Sequence, residues 1–288
     1  MESLVIHFSS FLVIFPIGIT RLISCLSLYL KNPSHYRSKS WYFSESRWKS
    51  FDFYILLIGL PISSVFIFSL FLVISGHPSY KFAFLQQSLV ILFFWVLLIL
   101  IFLKESYKLA LIPENFLYVY AGVAFLIECM MTGEAVVGYG EAMYGWLGGL
   151  GFVCAACCLF LSIRPSAFFA EFLLCFGMIL KGTWVLQVGL SLYTDTFLFS
   201  GCERLPFDVA NGRNFIKCEL DEYKYRSEAL VNLMFIGHVI VVLIISFLLS
   251  GLLSHFHNRK SFQSSGQLLA GFDAENSVVR PVTEFELD

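Results

Sequence analysis

The sequence predicts an all-α fold, an integral membrane bundle of seven transmembrane helices. Three observations carry that reading. The 288 residues are 58% hydrophobic and only 14% charged, and their mean hydropathy of +0.76 lies far above that of water-soluble domains. The apolar residues, 32 phenylalanines among them, come in blocks of about twenty, the length that crosses a hydrocarbon core of about 30 Å. The charges fall mostly in the short connectors between these blocks, as they must where the blocks lie in lipid.

The first block covers residues 4–30. It has Glu2 but no Lys or Arg ahead of it and is longer than the apolar core of a signal peptide, so it is expected to stay as an anchor. Lys31, Arg37, Lys39, Arg47 and Lys49 follow it. Positive charge after the first span places that side in the cytoplasm, which puts the N-terminus outside and the C-terminus in the cytoplasm. The remaining spans are expected at residues 53–75, 83–103, 115–132, 142–163, 168–193 and 229–253. Short connectors make neighbouring spans antiparallel, and only 194–228 is a sizeable loop. Residues 1–253 are thus the transmembrane domain. Residues 254–288, polar and acidic at the end, are expected to form a disordered cytoplasmic tail.

Ionisable residues inside spans are costly and need an explanation. Lys181 lies about twelve residues, roughly 18 Å, from the inner end of its helix, and Glu128 lies at a similar depth in the fourth span. His238 reaches about the same level from the outer end of the last span. A carboxylate, an ammonium and an imidazole at one depth form the candidate buried polar site. Its two readings are a structural ion pair that locates helices and a coupling or substrate site of a transporter. Arg21, toward the cytoplasmic end of the first span, is expected to snorkel outward as an interface residue.

Cys202 and Cys218 bracket a loop on the outer side, where an oxidising compartment favours a disulfide between them. The other cysteines, Cys25, Cys129, Cys154, Cys157, Cys158 and Cys175, fall within spans. With no histidine beside the 154–158 group, small apolar packing is expected there and no metal site. Gly145 and Gly149 form a small-xxx-small pattern, read as close helix packing within the chain with dimerisation as the alternative.

A net charge of −2 without a basic stripe gives no case for nucleic acid. No P-loop, G-x-S-x-G, H-E-x-x-H or glycine-rich dinucleotide fingerprint occurs. Neither enzymatic activity nor a cofactor is expected.

Three stretches carry a family resemblance: LKGTWVLQVGLSLY (180–193), SGC (200–202) and KCELDEYKYRSEALVNLMF (217–235). Together they resemble the transmembrane protein 45 family in its plant form. Near the start, IHF (6–8), GITR (18–21) and NPSHY (32–36) are similar to the family's histidine-bearing opening elements. The resemblance implies a multi-pass membrane protein of unknown biochemical activity, with some plant members linked to responses to viral attack. The departures fall on the family's histidines. Arg21 stands where one is expected, Leu85-Gln86-Gln87 fills the second region, and residues 133–147 contain none. The family's Leu-Gln-Gly-Thr-Trp is here Leu180-Lys181-Gly182-Thr183-Trp184. Any chemistry of those histidines is not carried over, His7 excepted.

The function expected is a non-catalytic scaffold or interaction protein of the endomembrane system or plasma membrane, linked by resemblance to stress or defence. A transporter or channel using Lys181 and Glu128 is the second reading and a seven-span receptor the third. The expected partners are the lipid bilayer and either another membrane protein or a second copy of the chain.

Overall fold

The computed structural model describes residues 2–43, 51–73, 78–107, 112–132, 139–197, 199–204 and 216–278. Arg47, Lys49, Lys108 and the tail beyond Val278 lie outside the described residues. The helices are α1 (Glu2–Lys31), α2 (Phe51–Val73), α3 (Pro78–Ser106), α4 (Glu114–Met131), α5 (Tyr139–Ile163), α6 (Phe168–Tyr193) and α7 (Asp221–Val278). Each contains a stretch long and apolar enough to cross a membrane.

α6 is the central helix. Of its apolar stretch 67% is buried within the protein, against 50% for α5 and 17–22% for the other five. The low values follow from the solvent: a face turned to lipid stays as apolar as one turned inward. The helices associate mainly as three antiparallel pairs, α1 with α6, α4 with α5 and α2 with α3, while α5 also packs on α6 and α7 lies across α1, α5 and α6.

The α1–α6 contact is built on glycines. Gly18 faces Ile179, Gly182 faces Phe15 and Gly189 faces His7, so α6 runs back along α1. A Cβ on Gly182 would stand 2.9 Å from the Phe15 amide nitrogen, and one on Gly189 would stand 2.6 Å from the His7 Cβ. Only glycine lets the two backbones come so near. The α2–α3 hairpin uses hydroxyls instead. Ser64 and Ser88 are 2.8 Å apart at their Oγ atoms, and each also donates to the other's carbonyl at 3.0 Å.

The pattern Gly145-xxx-Gly149 does not perform the packing within the chain expected of it. At both positions an added Cβ would meet nothing within 4 Å. The inner stripe of α5 is Leu147, Leu150 and Cys154, and the glycines on that side are Gly148 and Gly151, which face Cys129 of α4. Sequence spacing finds a small-residue stripe without fixing which side of the helix carries it toward a neighbour.

Between α6 and α7, strands β1 (Cys202–Arg204) and β2 (Ile216–Cys218) pair antiparallel, with Cys202 opposite Cys218. A disulfide joins the two cysteines. Gly201 turns the chain into β1 with φ of 81°, and a Cβ there would meet the Tyr223 ring at 2.6 Å. Both the conformation and the lack of space require glycine. The remaining cysteines are free.

α7 continues as helix to Val278, past His257, where its apolar stretch ends, and into the stretch expected to form a disordered tail. No proline interrupts the chain from 254 to 280, and Leu268, Leu269, Ala270 and Glu275 favour helix.

Candidate functional site: buried charges along α6

Three polar layers lie along α6. The first is at its start. Glu171, one turn into the helix, is completely buried, and the Arg21 guanidinium from α1 lies 2.7 Å from its Oε1. Tyr42 donates to the same oxygen at 3.2 Å, and Tyr118 of α4 donates to Oε2 at 3.2 Å. Arg21 also donates to the carbonyls of Ser40 (2.8 Å) and Lys39 (2.9 Å) and to the Tyr118 hydroxyl (2.9 Å). Its guanidinium stacks near the rings of Tyr42 and Tyr118. The arginine therefore does not snorkel to the interface. A carboxylate at its own level within the bundle offers what headgroups and water would otherwise supply. Burial, reinforced by the Glu171 carboxylate, pushes the Tyr36 and Tyr42 phenols above their ordinary value, so both stay neutral donors.

The second layer is a pair between the middle of α6 and the last turn of α4. Lys181 of α6 is buried, with its Nζ 2.5 Å from Glu128 Oε2 of α4. The ammonium also lies 5.3 Å from the centre of the Phe125 ring. Gly151 of α5 borders it: a Cβ there would lie 3.5 Å from the Lys181 Nζ, in ordinary van der Waals contact. The two partners differ in access: the Glu128 side chain is 26% exposed and that of Lys181 only 4%.

His238 does not join them. Its Nδ1 lies 3.0 Å from the Met234 carbonyl one turn back, and its ring meets Trp184 edge-on at 5.4 Å. Trp184 is itself fully buried and donates from Nε1 to the Met143 carbonyl at 3.0 Å. Depth brought His238 to the same level as Lys181, but its position around the helix axis turns it to Trp184.

The third layer is at the far end of α6. His7 of α1 places Nε2 2.9 Å from the Tyr144 hydroxyl of α5 and packs against the ring of Tyr193. Among the described residues, no group of three or more His, Cys, Asp or Glu side chains is arranged to hold a metal ion.

Glu171 and Tyr118 were not singled out in the sequence. The available signal was that α6 opens with one acid inside an otherwise apolar first turn, FFAEFLL. An acid there is also what the helix dipole favours, which hides its role.

Seven apolar helices, with ionisable side chains matched inside the bundle, define a multi-pass integral membrane protein. Residues 114–251 match the model of a family described as a family of unknown function, DUF716, the family that includes proteins like transmembrane protein 45. The matched region runs from the start of α4 into α7. It holds Tyr118, Glu128, Glu171 and Lys181, while Arg21 lies before it. No curated protein matches the chain.

Proposed function

We propose that the chain is a non-catalytic scaffold or interaction protein of the transmembrane protein 45 type, whose buried charges fix which helices pack together. The observation that carries this reading is the one-to-one matching on α6. Glu171 is met by Arg21 from α1, and Lys181 is met by Glu128 from α4. Each pair is neutral as a unit and joins a different neighbour to the central helix, the use of buried polar groups best attested for setting helix register. The proposal includes an outside N-terminus and a cytoplasmic C-terminus, in the endomembrane system or plasma membrane, and a role in stress or defence by family resemblance. This orientation places the Cys202–Cys218 bond in an oxidising compartment.

The test is a charge swap, Glu128→Lys with Lys181→Glu, in the full chain. A clamp tolerates exchange of its two signs, so the scaffold reading expects correct membrane insertion and an unchanged set of cross-linked membrane partners. Loss of those partners from a stably folded swap variant would overturn it.

One observation favours the second reading, a transporter or channel. Glu128 is much more accessible than the lysine it holds, and sites of secondary transporters lie near the midplane. Proton- or ion-dependent flux in proteoliposomes, abolished by the swap, would replace the scaffold reading with this one.

A further inference from the structure

The chain leaving α1 is tied down at several points. The Ser38 amide donates to the Pro165 carbonyl at 2.8 Å. Arg21 holds the carbonyls of Lys39 and Ser40, and the Ser40 amide donates to Glu114. An anchored, extended segment alternates its side chains between two sides. Tyr36 and Ser38 go inward and are buried, so Arg37 and Lys39 go outward and are exposed. Spaced two residues apart, they stand about 6–7 Å from each other along the segment.

Beneath them lies a cavity of about 280 Å³ between the 37–43 segment, the end of α3 and the start of α4. Arg37, Lys39 and Lys104 supply its cations and Glu105 and Glu114 its carboxylates. Lys104 and Glu114 are paired with each other. Arg37 and Lys39 have no carboxylate within ion-pair distance among the described residues. Trp41 and Phe43 complete the wall, aromatic residues of the kind that sit at headgroup level. The cavity lies where α1 and α3 end and α4 begins, at one face of the membrane.

We propose that this cavity binds a phosphate-bearing anion, with Arg37 and Lys39 as its ligands, and that the anion is the phosphomonoester headgroup of an anionic lipid in the adjoining leaflet. Two cations fixed side by side on a rigid segment can share the oxygens of one phosphate. A basic pocket between helix ends at headgroup depth suits a lipid whose acyl chains remain in the bilayer.

The test uses the full chain purified in detergent, with melting temperature followed against added dioctanoyl phosphatidylinositol 4-phosphate. A saturable upward shift is expected, with no shift from dioctanoyl phosphatidylcholine. Arg37→Gln with Lys39→Gln should weaken the apparent Kd about tenfold or more and leave the melting temperature without lipid unchanged. Lys31→Gln, also exposed at this end of the bundle but away from the cavity, should leave the affinity unchanged. Absence of a saturable shift would overturn the proposal, as would a loss of affinity in Lys31→Gln equal to that of the double variant. An equal shift with inorganic phosphate or inositol phosphate alone would retain the phosphate site but overturn its assignment to a lipid.

Discussion

The Arg21 guanidinium and the Glu171 carboxylate meet at 2.7 Å with the carboxylate wholly enclosed, so neither charge has an alternative partner in lipid. Replacing Arg21 or Glu171 singly by leucine should cost about 3–5 kcal/mol, while Arg21→Leu with Glu171→Leu should recover much of that loss. Thermal melting of the three variants in detergent checks this. Recovery will be incomplete, because the two apolar replacements leave Tyr42, Tyr118 and the Ser40 carbonyl without the partners they now have.

The Lys181–Glu128 pair should respond asymmetrically. Glu128→Leu strands a buried ammonium in the middle of α6, whereas Lys181→Leu leaves a carboxylate a quarter exposed and only one turn from the end of α4. Glu128→Leu is therefore expected to melt at the lower temperature. Equal losses would mean that the difference in access between the two partners carries no energetic weight.

Glycines divide into two groups by what they face. Gly182→Ala and Gly189→Ala force α1 away from α6 and should cost about 1–3 kcal/mol each, as overpacking does. Gly145→Ala and Gly149→Ala, which meet nothing within the chain, should leave melting unchanged or raise it slightly through helix propensity. The same melting assay reads all four.

Reduction of the Cys202–Cys218 bond should destabilise the protein by about 3 kcal/mol in the chain-entropy model. Alkylation followed by mass spectrometry gives the check. In the folded protein the reagent should reach Cys202 and Cys218 only after reduction, while the five buried span cysteines stay unmodified throughout.

How much of this was legible in the sequence varied with the kind of information each feature needed. Span positions came from hydropathy alone, because lipid demands apolar length irrespective of packing. Lys181 and Glu128 could be brought to one level because helical rise converts residue number into depth. Rotation about the axis is not recoverable in this way when a helix is apolar all round, and His238 and the Gly145–Gly149 stripe show it. Arg21 was misplaced for a different reason. Near a helix end, snorkelling is the ordinary outcome for an arginine, and the acid that holds it inside belongs to a helix far along the chain. The sequence LKGTW becomes intelligible only with three neighbours in view: Lys181 reaches α4, Gly182 lies on α1, and Trp184 bonds the Met143 carbonyl of α5.

The antiparallel contact of α1 with α6 also sets an order of events during synthesis. Arg21 is made about 150 residues before Glu171, an interval of roughly 8 to 30 seconds at about 5–20 residues per second. For that time the arginine sits in a nascent span without its carboxylate, so α1 cannot take its final place until the sixth helix has left the ribosome. The first and sixth helices thus close the bundle late, and a chain stopped after α5 would hold both Arg21 and Glu128 without the partners that α6 brings.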